Sequence, residues 1–217
     1  MSVREYFEEV ATGLAVKGFL HTPEGGSGNA VALTHGAGAN CSSRLLVALA
    51  EQFCNSGMTV LRFDLPFRQL KAHGPPIRGS ADRDQQGIKQ AIRALRRVTG
   101  GRVCAGGHSY GGRQVTMLAA EEPEIADGLL LLSYPLHPPK KPEQLRTAHL
   151  SKLRTPALFV HGTKDGFGTL EEVKAHLDEI PARTSLLGVS GAGHELLTAK
   201  NPELPKVIVS AFCEFFG

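Results

Sequence analysis

The chain has 217 residues, of which 41% are hydrophobic and 21% charged, so it is long enough to bury a substantial core. Its 24 basic and 21 acidic residues are spread along the sequence, which argues against a nucleic-acid-binding protein. No segment approaches the roughly 20 uninterrupted apolar residues of a membrane-spanning helix. We therefore expect a soluble protein with no membrane partner.

The N-terminus and the cysteines indicate the compartment. The segment Met1–Val10 carries acidic side chains where a secretory signal peptide needs an apolar stretch. The four cysteines, at positions 41, 54, 104 and 213, form no C-x-x-C pair and have no close histidine partner, so neither a zinc site nor a disulfide framework is expected. These features predict a cytoplasmic protein with free thiols and no bound metal.

Two kinds of hydrophobic pattern follow one another along the chain. Val3–Val10 and Leu14–His21 are predicted to be antiparallel strands joined by a turn at Thr12-Gly13. Beyond them, short apolar runs alternate with amphipathic segments of helical length. The predicted strands are Ala30–Thr34, Thr59–Phe63, Arg102–Gly106, Gly128–Tyr134, Pro156–His161 and Ser185–Val189. The predicted helices are Ser42–Ser56, Ala81–Val98, Gly111–Glu121, Leu170–Ile180 and Pro202–Phe216.

This alternation predicts one doubly wound α/β domain over residues 1–217. Continuous apolar runs suit strands covered on both faces, and the intervening helices suit right-handed crossovers between parallel strands. The N-terminal hairpin adds an antiparallel part to a mostly parallel sheet. Two long loops, Leu65–Ser80 and Leu136–Thr155, are either surface excursions or walls of a binding site.

The candidate nucleophile is Ser109 in the segment Gly107-His108-Ser109-Tyr110-Gly111. This segment follows an apolar strand and opens a helix, the context that a G-x-S-x-G nucleophile elbow requires. A serine on so tight a turn needs small residues two positions before and after it, because larger side chains would clash. The turn also directs the next backbone N–H and the helix dipole at an oxyanion. The alternative is an N-cap serine followed by glycines used for close packing.

An acid and then a histidine follow the serine along the chain in this arrangement. His194 lies in a Gly-rich turn after the last predicted strand, where a loop can carry an imidazole to the C-terminal edge of the sheet. Asp165 follows the strand that ends at His161, so its carboxylate can orient the imidazole. We predict His194 as the general base and Asp165 as the acid. An ordinary loop histidine and a turn-forming Asp before Gly166 are the alternatives.

A second oxyanion donor is predicted in the segment His35-Gly36-Ala37-Gly38, which directly follows a strand. Gly36 and Gly38 let the backbone turn so that the N–H of Ala37 can join that of Tyr110 at the oxyanion. The alternative is a tight connection between a strand and a helix.

The sequence resembles the α/β-hydrolase superfamily over essentially its whole length. The resemblance rests on four motifs in order: His35-Gly36-Ala37-Gly38, Gly107-His108-Ser109-Tyr110-Gly111, His161-Gly162-Thr163-Lys164-Asp165 and Gly191-Ala192-Gly193-His194. More narrowly, residues 63–68 and 159–168 are similar to a small lidless subgroup. That subgroup is related to dienelactone hydrolases and to the hydrolase-like domain of a nuclear acetyltransferase-complex subunit. The nucleophile of dienelactone hydrolases is Cys and here is Ser109, so their substrate class is not carried over.

The predicted activity is that of a serine hydrolase, a carboxylesterase acting on small soluble acyl esters with no cofactor. Ser109 attacks the acyl carbon, His194 takes its proton, and water then releases the acyl group. We expect substrate contacts from Arg68, Phe67, Tyr134 and Phe167. The first long loop also carries Lys71, His73 and Arg78, which either favour an anionic substrate or form a solvated surface.

Three alternatives remain at this stage. A dinucleotide-binding oxidoreductase is suggested by Gly36-x-Gly38 after a strand and by Asp64, although Cys41 occupies the third glycine position and Asp64 lies later than the usual spacing. A non-catalytic binding module on a hydrolase scaffold is the second. A peptidase or thioesterase using the same triad is the third.

Overall fold

Eight strands form one sheet in the computed structural model, which describes residues 3–11 and 13–217. The strands are β1 (Val3–Ala11), β2 (Leu14–Thr22), β3 (Ala30–Thr34), β4 (Thr59–Asp64), β5 (Val103–His108), β6 (Leu129–Leu132), β7 (Ala157–Gly162) and β8 (Thr184–Val189). Their order is β1-β2-β4-β3-β5-β6-β7-β8, with β1 and β2 antiparallel and β3 to β8 parallel. This confirms the predicted sheet, while Thr12 of the predicted turn and the first two residues lie outside the described residues.

Helices cover both faces of the sheet. They are α1 (Arg44–Asn55), α2 (Pro66–Leu70), α3 (Ala81–Val98), α4 (Tyr110–Glu121), α5 (Leu170–Leu177) and α6 (Leu204–Phe216). Alternate side chains of each strand point to opposite faces. In β3, accordingly, Ala30 and Ala32 pack with α3 and α4, whereas Val31 and Leu33 pack with α1 and α6. In the part of the chain that is described, no helix has the length and apolar character needed to cross a membrane.

Many element boundaries shift by one to three residues from the predicted ones, and one predicted loop contains a short helix. Strand β6 ends at Leu132 because Ser133 has a φ of 49°, which a strand cannot continue. Helix α2 lies in a segment predicted to be a loop, where Pro66 occupies a first-turn position that suits its fixed φ. Helix α5 ends at Leu177, before the predicted Ile180, with Asp178 as its C-cap.

The topology assembles a crevice at the carboxyl ends of the parallel strands. From β3 the chain first moves outward to β4 and then returns to β5 on the other side of β3, so the winding direction reverses between β3 and β5. Loops that leave such neighbouring strands in opposite directions open a ligand-binding crevice. The connection from β6 to β7, residues 133–156, carries only the short 3₁₀ turn Leu150–Lys152, so it forms no large lid over this edge.

Candidate active site

Ser109 occupies a strained turn between β5 and α4. Its φ of 50° and ψ of −115° lie in a region that non-glycine residues rarely adopt. The turn is held from both sides, since the Ser109 N–H donates to the carbonyl of Leu132 at 2.8 Å and its own carbonyl accepts from the Arg113 N–H at 3.0 Å. The hydroxyl is thereby presented at the sheet edge.

Close backbone packing explains the glycines around Ser109. A Cβ on Gly107 would lie 2.6 Å from backbone atoms of Gly111 and Gly112. A Cβ on Gly111 would lie 2.5 Å from the carbonyl oxygen of His35, in the segment that follows β3. Both glycines therefore let the strand, the helix and the neighbouring loop approach more closely than any side chain permits.

We expect Gly107→Ala to lower the free energy of unfolding by about 3 kcal/mol, because the new methyl group must displace backbone on α4. Urea unfolding measures the change. Gly100→Ala is the matched control, since a Cβ there meets nothing within 4 Å, and we expect it to change stability by less than about 0.5 kcal/mol. Equal stability of the two variants would contradict the packing argument.

His194 connects Ser109 to Asp165 through two sets of hydrogen bonds. Its Nε2 lies 2.7 Å from Ser109 Oγ, and its Nδ1 lies 2.8 Å and 3.0 Å from the two carboxylate oxygens of Asp165. With an ionised carboxylate on Nδ1, that nitrogen carries the proton and Nε2 is left to accept the hydroxyl proton. The structure thus brings together the three predicted residues from loops after β5, β7 and β8.

The Asp165 side chain is buried and held in its ionised form. Burial opposes ionisation, but hydrogen bonds from His194 and from the Phe167 N–H, at 2.9 Å, outweigh it and lower the pKa of the Asp165 carboxyl from its ordinary value. A Cβ on Gly162 would lie 2.4 Å from the carbonyl oxygen of Ala192. This glycine therefore lets the loop that carries His194 approach the end of β7.

Two aromatic side chains position the His194 ring and its loop. The buried Nε2–H of His108 donates to the backbone carbonyl of His194 at 2.8 Å. Burial lowers the pKa of His108, although that hydrogen bond raises it, so the ring is neutral. The Phe167 ring stacks on the His194 ring with centroids 4.1 Å apart. His108 was not predicted from the sequence, in which it is simply the x of the G-x-S-x-G pattern.

The loop after β3 is oriented by His35. The Leu65 N–H donates to Nε2 of this buried ring, so Nδ1 carries the proton and donates to the Gly36 carbonyl at 2.9 Å. The Ala39 N–H also donates to that carbonyl. Because the peptide is trans, the Ala37 N–H points away from both groups. Neither this amide nor that of Tyr110 donates to another group in residues 3–11 and 13–217.

Arg68, predicted as a substrate contact, is instead buried beneath this loop. Its guanidinium donates to the carbonyls of Ala37 and Ala39 at 2.7 Å each, and to those of Lys71 and Gly74 at 3.0 Å and 2.9 Å. The side chain is 5% exposed and does not line the cavity beside Ser109. The N–H groups of the guanidinium are bonded to backbone carbonyls, so Arg68 supports the loop after β3 and does not contact a ligand.

We expect Arg68→Met to lower the free energy of unfolding by about 3 kcal/mol, because four backbone carbonyls lose charge-assisted donors from one buried guanidinium. Thermal and urea unfolding both report the loss. The exposed Arg78 lies in the same connection, and Arg78→Met should leave stability unchanged. A variant as stable as the wild type would show that water replaces the guanidinium without cost.

Phe67 and Tyr134, the next two predicted substrate contacts, are both 1% exposed. The Phe67 ring packs edge-on against His35 and Tyr110, with centroids 5.6 Å and 5.7 Å away. The Tyr134 hydroxyl donates to the carbonyl of Arg146 at 2.8 Å. Neither side chain lines the cavity, because each fills the interior below it. Phe167 is the predicted contact that does line it.

A cavity of about 550 Å³ opens beside Ser109 and His194. The other lining residues come from the loop after β3, the end of β5, α4 and the connections after β6, β7 and β8: Gly36, Ala37, Gly38, Ala39, His108, Tyr110, Arg113, Pro135, Arg146, Phe167 and Glu195. Arg113 and Arg146 were not predicted. Arg113 follows Ser109 by one helical turn, a spacing that points to the same side of α4, whereas no sequence pattern marks Arg146.

Asp64 takes a structural role instead of the ribose contact that a dinucleotide site requires. Its Oδ1 accepts from the Cys41 N–H at 2.7 Å, at the start of the connection into α1.

All four cysteines are free thiols, three of them buried and Cys213 exposed.

The sheet order, the elbow and the residues gathered after β3, β5, β7 and β8 define an α/β hydrolase. Residues 27–207 match the family model described as an alpha/beta hydrolase domain. The chain therefore belongs to the α/β-hydrolase family, as the motif resemblance implied.

Solved structures show the same fold at low sequence identity. A dienelactone hydrolase from Anabaena variabilis ATCC 29413 is 18% identical, with a TM-score of 0.75 over 99% of this chain and 97% of that chain. An alpha-beta serine hydrolase homologue from Coxiella burnetii is 17% identical, with a TM-score of 0.77 over 95% and 96%. The esterase Pf2001 from Pyrococcus furiosus is 16% identical, with a TM-score of 0.75 over 99% and 93%.

Proposed function

We propose that this protein is a serine carboxylesterase that hydrolyses small acyl esters through an acyl-enzyme. The observation that carries the proposal is the hydrogen-bonded series from Ser109 through His194 to Asp165 at the wall of an accessible cavity. Nucleophile, base and orienting acid are within hydrogen-bonding distance, which is the arrangement that activates a serine hydroxyl. The esterase among the structural neighbours is consistent with this chemistry.

In the proposed acylation these three residues act in turn. Ser109 Oγ attacks the ester carbon while His194 Nε2 accepts its proton, and Asp165 stabilises the resulting imidazolium. The N–H groups of Tyr110 and Ala37 have no other acceptor in the described residues and are available to the oxyanion. His194 then donates its proton to the alcohol oxygen as the C–O bond breaks, leaving the acyl group on Ser109.

Deacylation reverses these proton transfers with water. His194 Nε2 takes a proton from a water molecule that attacks the acyl carbon, and then returns it to Ser109 Oγ as the acid leaves. The connection between β6 and β7 forms no large lid, so the cavity stays open to small soluble esters from solvent. Every step uses groups of the protein and water, so the proposal includes no cofactor.

We also propose a cytoplasmic location, supported by the four free thiols. Burial raises the pKa of Cys41 and of Cys104 to about 12, so these thiols stay protonated and unreactive at neutral pH.

Labelling with a fluorophosphonate tests the proposal most directly. An activated serine forms a covalent phosphonyl adduct, and peptide mapping should locate it on Ser109. Comparing turnover of p-nitrophenyl acetate, a matched thioester and a matched amide then separates esterase from thioesterase and peptidase action. Absence of labelling together with absence of turnover would favour a non-catalytic binding module.

A further inference from the structure

Two arginines line the candidate active-site cavity in addition to the catalytic groups. Arg113 lies one turn into α4 after Ser109, and Arg146 reaches the cavity from the connection between β6 and β7. Both side chains are partly buried. The mechanism proposed above uses neither of them.

Neither guanidinium has a counter-ion among residues 3–11 and 13–217. No carboxylate of these residues lies within 4.0 Å of either group, although Arg96 pairs with Asp127 and Arg97 pairs with Glu9 elsewhere on the surface. The Nε of Arg113 is fully buried and has no hydrogen-bond partner in the part of the chain that the structure describes. The cavity also contains Glu195, which is exposed at the rim and forms no ion pair with them. Buried charged donors normally have partners, so this exception calls for a ligand.

The two charges are close enough to affect each other and their neighbours. Burial, and then the adjacent Arg113, lower the pKa of Arg146. Burial, and then Arg113, also lower the pKa of His149 to about 4, which keeps that ring neutral and adds no further charge. Two like charges held together in a partly desolvated cavity repel, and an anion placed between them removes that repulsion.

We propose that Arg113 and Arg146 form an anion subsite that binds a carboxylate or phosphate group carried by the ester substrate. The subsite deepens the proposed esterase function and rests on it. The paired N–H groups of a guanidinium form two parallel hydrogen bonds with the oxygens of a carboxylate or a phosphate. Arg113 lies about 6 Å along the helix from Ser109. Because both arginines line the same cavity as Ser109, the fitting substrate is an ester whose acyl part ends in an anion, as in a half-ester of a dicarboxylic acid.

Methyl hydrogen glutarate and dimethyl glutarate test the subsite, because they differ only in the negative charge. We expect wild-type kcat/KM to be at least tenfold higher for the acidic ester. Arg113→Met and Arg146→Met should each lower kcat/KM for the acidic ester by about 10- to 100-fold and leave the neutral ester within threefold. Arg113→Lys should retain part of the preference because it keeps the charge.

Arg154 supplies the matched control, since it is an exposed arginine on the same connection as Arg146. Arg154→Met should leave both reactions unchanged. A purely structural role of Arg113 or Arg146 would lower kcat/KM for both esters alike, and that result would overturn the proposal.

Binding to the Ser109→Ala variant separates the subsite from catalysis. Titration calorimetry with glutarate and with inorganic phosphate should show binding that Arg113→Met weakens at least tenfold, and the tighter anion identifies the natural group. Binding of neither anion at millimolar concentration, with equal hydrolysis of both esters by the wild type, would overturn the subsite and leave the esterase proposal standing. Arginine-dependent binding without hydrolysis of either ester would support the subsite and contradict the esterase proposal.

Discussion

Ser109→Ala is expected to reduce kcat for p-nitrophenyl acetate by roughly five to six orders of magnitude and to abolish fluorophosphonate labelling. The 2.7 Å contact with His194 Nε2 provides the only route by which the hydroxyl proton leaves during attack in the mechanism proposed here. Without Oγ no acyl-enzyme forms, and the remaining rate comes from bound water and the oxyanion donors. Stability should change little, because alanine tolerates the same packing.

Ser133→Ala is the matched control for this variant. Ser133 is also buried, also follows a strand and also has a positive φ, and its hydroxyl has no hydrogen-bond partner among the described residues. We expect wild-type turnover and labelling from it. Undiminished turnover by Ser109→Ala would remove Ser109 from the mechanism, and equal losses in both variants would point to disruption of the sheet edge instead.

Asp165→Asn is expected to lower kcat by about 10⁴-fold with a much smaller change in KM. The asparagine amide can donate to Nδ1 of His194 and so favour the ring form whose Nε2 already carries a proton. Such a ring cannot accept the proton of Ser109.

The Asp165 carboxylate also makes the stability of the folded protein depend on pH. Because folding lowers the pKa of Asp165, the ionised carboxylate stabilises the fold above its unfolded pKa. This stabilisation is lost as pH falls through the lower pKa of the folded state.

Steady-state kinetics and unfolding curves together test this second prediction. Asp178→Asn changes an exposed aspartate at the end of α5 and should leave kcat unchanged. A kcat within tenfold of the wild type for Asp165→Asn would show that another group orients His194. The buried His161, whose Nε2 lies 3.7 Å from Asp165, is not an acid and cannot replace it.

Local sequence signals predicted the elements with clear periodicity and the turns with strict steric needs. Helix α3 has the predicted bounds, Ala81–Val98, because its apolar positions recur with the helical period. The glycines at 107 and 111 marked the elbow because no side chain fits between β5 and α4. The short helix α2 was missed, since a helix of five residues has almost no periodicity.

Contacts between distant segments could not be predicted. Arg68 follows a strand in a basic loop, and its sequence neighbours suggest a solvated residue. Its burial depends on the carbonyls of Ala37 and Ala39, which lie about 30 positions earlier in the chain. Phe67 and Tyr134 are likewise buried although the sequence predicts ligand contacts, because a pattern of residue types does not say which side of a loop faces the interior.

Local patterns in the sequence are enough to specify the fold class and the four motifs, because hydrophobic period and backbone sterics act between residues near one another in the chain. The surroundings of Ser109 depend instead on contacts between segments far apart in the chain. The reversal of winding between β3 and β5 sets the loop after β3 beside the elbow, and the loop after β8 passes the ends of β7 and β6 to reach it. Tertiary packing also places Arg113 and Arg146 together, with no counter-ion among residues 3–11 and 13–217, since such proximity depends on how α4 packs against a connection 33 residues further along.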